Sequence, residues 1–306
     1  LAQKIVSNLT REYNLDGITY NSSASIGVTL FNSENLPKDD LLKQADMAMY
    51  KAKYAGRNGV QFFDPQMQVA VSSIASIVSD LYSAIQSQQF VLFYQKQVNH
   101  LKQCIGVEVL LRWIHPEKGM VSPLQFIPLA EETGLIVPIG KWVLEEACAT
   151  LAKWSLDSEK QHLSIAVNIS VVQFSKDNFV QTVLNALKTS GANPQLLKLE
   201  ITETLLANNI PDVKAKMKEL QQHGVTFSID DFGTGYSSLS YLKQLPINQL
   251  KIDQGFVRDI INSSNDRAIA QAVITLADSM ELQVIAEGVE TEAQRALLQK
   301  MGCNTY

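Results

Sequence analysis

The sequence predicts an α/β protein whose larger part is a (β/α)8 barrel, preceded by a smaller unit of different rhythm. Two observations carry this. From Phe90 onward, short β-branched or apolar runs alternate with amphipathic helical patterns, as parallel strands joined by crossover helices require. The polar residues within those runs gather at their C-terminal ends, which in a barrel converge on one mouth. A doubly wound open sheet would share the alternation, but it calls for a Gly-rich phosphate turn after an early strand, and none is present.

In chain order, the first unit opens with a strand-like run over 24–31. A helix follows over 38–54, where Leu41, Leu42, Ala45, Ala48, Met49 and Ala52 recur at three- and four-residue spacings and Gly56 is the stop. A second strand over 59–63 completes residues 1–65. Residues 66–89 contain neither Gly nor Pro and carry Val69, Ile74, Ile77, Leu81 and Ile85, which reads as a linker helix. Over 90–306 the strands fall at 90–95, 105–111, 163–168, 196–201, 225–229, 248–252 and 282–286. Helices fall at 137–154, 177–189, 213–223, 266–279 and 291–301. An eighth strand would begin near Cys303 and is cut off.

A chain of 306 residues holds one large domain or two ordinary ones, and 46% hydrophobic against 19% charged residues supplies a sizeable core. The net charge of -5 gives no electrostatic reason to bind DNA. Cys104, Cys148 and Cys303 match no metal spacing and read as reduced core thiols of a cytoplasmic protein. Leu1 at the start, without initiator or leader, reads as a piece of something longer. No apolar run reaches the ~18 residues that cross a bilayer, so any anchor to the inner membrane would lie in a preceding region.

The site candidates are the polar strand ends. Asn168 ends one run, Glu200 and Glu203 the next, and Asp230 and Asp231 the third. Lys251 and Asp253 follow, then Glu287 and Glu290, while Glu108 lies earlier within its own run. A lone acid at such a place is more often a helix cap than a ligand. Five consecutive strand ends with polar residues in apolar runs point to a metal site instead. Carboxylates this dense repel one another unless a cation sits among them. Oxygen donors without His or Cys suit Mg²⁺ or Mn²⁺, and an adjacent Asp pair can bridge two metals ~3.5–4 Å apart. His100, His115, His162 and His223 fall in turns or at helix ends and read as surface residues. Residues 231–239, with Gly233 and Gly235, form a βα loop that shapes the metal site, and Glu203 can fix it by hydrogen bonding.

Several stretches in 90–306 resemble the EAL family of cyclic di-GMP phosphodiesterases. They are Glu108-Val109-Leu110, Phe126-Ile127-Pro128-Leu129-Ala130-Glu131, Val167-Asn168-Ile169-Ser170, residues 199–203, 230–239, 250–253 and 286–291. The resemblance implies a TIM-type barrel with an antiparallel first strand, Mg²⁺- or Mn²⁺-dependent hydrolysis of cyclic di-GMP to linear pGpG, two metals per site and inhibition by Ca²⁺. It assigns metal binding to Glu108, Asn168, Glu200, Asp230 and Asp231, and catalysis to Glu287, Lys251 and Glu203. Substrate binding falls to Gln95, Arg112, Asp253 and Glu290. It also implies a homodimer, and the helix over 237–244, beside the active-site loop, is the expected interface, with Leu242 in it.

Residues 1–65 resemble the C-terminal part of a GGDEF diguanylate cyclase domain, through Ser25-Ile26-Gly27-Val28, residues 45–50 and residues 52–58. In that family the positions of Lys53 and Arg57 contact triphosphate. The signature loop is absent, so this fragment cannot make cyclic di-GMP. Within the EAL resemblance, Val109 replaces Ala, Lys96 replaces Pro after Tyr94-Gln95, and the chain stops at Tyr306 before a Gln-Gly-Tyr-like stretch, which would leave the barrel open. The alternative to an enzyme is a catalytically silent cyclic di-GMP receptor. Such receptors lose metal ligands or the Asp pair, and none is lost here.

Overall fold

The computed structural model describes residues 1–306 other than 16–17, 32–36, 55–57, 208 and 234–241. At 14–15, 18–21, 54, 68–73 and 206–207 it describes the backbone alone. The chain divides into two units, Leu1–Asp80 and Leu81–Tyr306.

In the first unit, helix α1 (Ala2–Leu9) precedes an antiparallel hairpin of β1 (Glu12–Leu15) and β2 (Ile18–Asn21). Strands β3 (Ile26–Val28) and β4 (Val60–Phe62) pair in parallel through helix α2 (Lys38–Tyr54). The helix has the predicted bounds and buries Ala48 and Ala52. Its approach to the strand depends on Gly27, where a Cβ would lie 2.0 Å from the Ala45 carbonyl oxygen and 2.2 Å from the Met49 nitrogen. The expected strand over 24–31 is confined to three residues, and α1 and the hairpin were not predicted. Gly56 and Arg57 lie outside the described residues. The linker helix is α3 (Pro65–Gln86), within which the division between units falls.

The second unit is a TIM-like barrel. Its strands are β5 (Phe90–Val98), β6 (Cys104–His115), β7 (Gly119–Val121), β8 (Ser164–Ile169), β9 (Leu197–Thr202), β10 (Thr226–Phe232), β11 (Gln249–Ile252) and β12 (Gln283–Ala286). Around the sheet the order is β12-β11-β10-β9-β8-β6-β5, with β7 as a short antiparallel addition to β6. All other neighbours are parallel except β5 and β6, which bears out the antiparallel first strand. Thr305 and Tyr306 lie between the sheet's two edges. Val98 and Tyr306 exchange two backbone hydrogen bonds of 2.8 Å, and Ala286 N–H donates to the Thr305 carbonyl at 3.0 Å. At that level the barrel is closed, not open.

Helices Ile136–Trp154, Phe179–Ser190, Ile210–Gln222, Ser264–Ser279 and Glu292–Met301 follow the predicted periodicity within a few residues. The helix Pro123–Glu132 was not predicted, because Pro123 and Pro128 punctuate it. Pro123 sits in its first turn, where no N–H is needed. Strand side chains alternate as the pleat demands. Ile165, Val167, Leu197, Leu199, Ile201, Phe227, Ile229, Leu250 and Ile252 are buried on the helix-facing side. The intervening positions, which face the barrel interior, carry the polar groups. No helix among the described residues is long and apolar enough to cross a membrane.

Two readings are corrected. His115 is buried at the end of β6 and not at the surface, its Nδ1 accepting from the backbone N–H groups of Glu117 and Lys118 at 3.1 Å each. Leu242 is fully buried within the chain, so it is not an exposed interface residue. Residues 237–241 of the proposed dimer helix lie outside the described residues. Cys148 and Cys303 are buried core thiols as expected, whereas Cys104 is only half-buried.

Candidate active site

The barrel interior converges on one ammonium group. Lys251 on β11 is only 1% exposed, and its Nζ lies 2.8 Å from Glu200 Oε2, 3.1 Å from Asp230 Oδ1 and 3.2 Å from Glu108 Oε2, and is also paired with Glu287. Strand register explains the convergence. Asn168 on β8 is aligned with Glu200 on β9, and Gln95 on β5 with Glu108 on β6. Asn168 Nδ2 donates to Glu108 Oε1 at 2.7 Å, which fixes that carboxylate while keeping the amide oxygen of Asn168 as an acceptor.

Consecutive residues of a regular strand point to opposite faces, so Asp230 and Asp231 should not reach the same mouth. The strand is irregular here. Its register against β11 shifts between Ile229 and Phe232, and Asp231 takes a left-handed φ of 52°. Such a bulge re-aims a side chain, and Asp is among the few residues that accept this conformation. As a result carboxylate oxygens of Asp230, Asp231 and Glu287 lie within 4.8 Å of one another. The Asp231 N–H donates to Asp230 Oδ1 at 3.0 Å.

Four carboxylates thus share one lysine, and Asp231 stands beside them as a fifth. Burial pushes the Glu200 carboxyl up to about 8 and Glu287 up to about 7, and Lys251 only partly offsets this against the repulsion of Asp230 and Glu108. Burial also raises Asp231 to about 6, with Asp230 and Asp253 adding repulsion. Burial would lower Lys251, but Glu200, Asp230, Glu108 and Glu287 together hold it well above the usual lysine range. The cluster is short of positive charge. Glu200 Oε1 is moreover buried with no hydrogen-bond partner among the described residues, an orphaned acceptor of the kind a cation satisfies. The all-oxygen donor set and this orphan fit a hard divalent ion.

A cavity of about 530 Å³ opens above the cluster, lined in part by Gln95, Glu108, Asp230, Glu287, Glu290 and Tyr306. Sequence reasoning missed Gln254, Gln97 and Tyr306 in this lining. Gln254 carried a usable signal, since it directly follows a strand whose end already held Lys251 and Asp253. Lys96 stays in the continuous strand β5, paired with Val107, so Gln95 keeps its register opposite Glu108. Arg112 lies further along β6, with Nη1 donating to the Leu111 carbonyl at 2.9 Å. Asp253 caps the helix Gln254–Arg258 by accepting from Gly255 N–H at 2.9 Å. Glu203 is buried at the start of the 3-10 turn Glu203–Ala207. Of the loop 231–239 that it was expected to brace, residues 234–239 lie outside the described residues.

The family model for the EAL domain matches residues 78–306. This chain belongs to the EAL-domain family. The GGDEF diguanylate cyclase model matches residues 1–59, ahead of the EAL domain. The bifunctional diguanylate cyclase/cyclic di-GMP phosphodiesterase MucR of Pseudomonas aeruginosa is 44% identical over 306 residues, covering 100% of this chain and 44% of MucR. The cyclic di-GMP phosphodiesterase PdeR of Escherichia coli is 34% identical over 304 residues, covering 99% of this chain and 46% of PdeR. This chain therefore spans under half the length of these relatives. The solved PaMucR phosphodiesterase in complex with c-di-GMP superposes on the EAL domain with a TM-score of 0.72 at 46% identity, covering 75% of this chain and 93% of that one.

Proposed function

We propose that the EAL domain hydrolyses cyclic di-GMP to linear pGpG with Mg²⁺ or Mn²⁺. The observation that carries this reading is the ring of Glu108, Glu200, Asp230 and Glu287 around Lys251, beside the Asp230-Asp231 bulge and under a cavity of about 530 Å³. Relatives named as cyclic di-GMP phosphodiesterases support it.

Glu108, Asn168, Glu200 and Asp230 would hold one metal, and Asp231 with Glu287 a second. When bound, the two ions supply Lewis-acid charge to the phosphodiester and lower the pKa of water at the site. Lys251 Nζ orients the attacking water by hydrogen bonding, and Glu287 accepts its proton at a carboxylate oxygen. The water oxygen forms a bond to one phosphorus as the bond to the 3′ oxygen breaks in line, and that oxygen takes up a proton. Gln95 and Arg112 hold the dinucleotide, the guanidinium suiting a phosphate oxygen. Glu290 lines the cavity. Asp253 acts through the helix that it caps.

Incubation with cyclic di-GMP and Mn²⁺ should yield pGpG, with activity removed by EDTA and by Glu108→Ala. Tight binding of cyclic di-GMP by metal-saturated protein with no product over a long incubation would show a receptor instead.

A further inference from the structure

On β5 two neighbouring aromatic residues point to opposite faces. Tyr94 turns outward, its hydroxyl 3.0 Å from Thr150 Oγ1 and its ring 6.0 Å from that of Trp154. Phe93 therefore shares the interior face with Gln95, and its register partner is Leu110, between Glu108 and Arg112. It stands two residues from Gln95 along the strand, about 7 Å by the rise of an extended chain. Despite facing the barrel, Phe93 is 46% exposed, and the Arg112 guanidinium carbon sits 5.5 Å from its ring centroid. This half-exposed ring with a guanidinium over it stands a short step beyond the carboxylate cluster.

We propose that Phe93, backed by Arg112, is a stacking platform for one purine base of the dinucleotide; this rests on the reading of the site given above. An aromatic face attracts a base whatever its identity, and the Arg112 cation adds to the stack. Arg112 spends one of its five N–H donors on the Leu111 carbonyl and keeps others for a phosphate oxygen, so it can back the ring and still hold the dinucleotide. Phe93 is thus a substrate-positioning residue distinct from the groups that act on the phosphodiester.

The test is steady-state hydrolysis of cyclic di-GMP with Mn²⁺ by the wild type, Phe93→Leu, Phe93→Ala and Phe93→Trp. The Leu and Ala variants should raise KM by roughly fivefold to a hundredfold, the range of one base–aromatic stack, with a smaller change in kcat. The Trp variant should stay close to the wild type, and melting temperatures should be unchanged. A Leu variant with the wild-type KM overturns the inference. Titration of cyclic di-GMP into metal-free protein separates this inference from the proposed hydrolysis. Weaker binding by the Leu variant supports stacking even if no product ever forms, and equal binding rejects it.

Discussion

Lys251 Nζ lies 2.8 Å from Glu200 Oε2 with both side chains buried, while the other oxygen of the same carboxylate has no hydrogen-bond partner among the described residues. One oxygen is satisfied by the only lysine among the described residues that contacts the cluster, and the other is left for a cation. Lys251→Met keeps the bulk of the side chain and removes its charge. Truncating one partner of a buried ion pair costs about 3–5 kcal/mol. Urea unfolding of metal-free protein at pH 7.5 should show a loss of that order, and a smaller one at pH 5.5, where the acids can take up protons. An unchanged midpoint at both pH values would mean that the lysine does not hold the cluster together.

The same cluster sets a pH dependence. Glu200 at about 8, Glu287 at about 7 and Asp231 at about 6 all lie above the values these groups have in an unfolded chain. Between pH 5 and 8 the native state therefore holds protons that the unfolded chain has lost. Their contribution is fully present below about pH 4 and declines as pH rises through these values. Metal-free protein should show a falling urea midpoint from pH 5.5 to 8, less steep in Glu200→Gln. Saturating Mn²⁺ should reverse the trend, because ligands must be deprotonated to bind. A metal-free midpoint that climbs over this range would contradict the charge balance described above.

Much of this site was legible in the sequence because polar residues at the ends of apolar runs violate the pattern of a buried parallel strand. Asn168, Glu200, Asp230, Lys251 and Glu287 all stood out in that way, and Glu108 as a charge inside its own run. That Lys251 is their shared centre was not legible, since Glu108 lies 143 residues away in sequence and only barrel closure brings the two together. The bulge that turns Asp230 and Asp231 to one mouth is a backbone irregularity with no pattern of its own. Phe93 was invisible for a simpler reason: an apolar residue in a strand reads as core. The helix Pro123–Glu132 was obscured by its prolines.

Leu242 illustrates the cost of reading a surface from a helix pattern alone. It is 0% exposed within a single chain. Leu242→Glu should therefore lower stability by several kcal/mol, of the order set by burying an unpaired charge. Thermal melting and soluble yield are the readouts. A variant that melts like the wild type while changing its mass on light scattering would restore the interface reading.

Asn168 offers the sharpest probe of the division of labour in the cluster, because its amide stands where the neighbouring strand ends carry charge. Its Nδ2 donates to Glu108 Oε1 at 2.7 Å. Asn168→Asp exchanges that donor for a second anion at hydrogen-bonding distance from Glu108. A lost hydrogen bond to a charged group and new repulsion should together cost metal-free protein about 2 kcal/mol. A divalent ion neutralises the added charge, so the deficit should shrink as Mn²⁺ is titrated in. The difference in urea midpoint between variant and wild type, followed from EDTA to saturating Mn²⁺, measures this directly. A deficit that stays constant would mean that no cation approaches Asn168, and would move the metal to the Asp230, Asp231 and Glu287 side of the mouth.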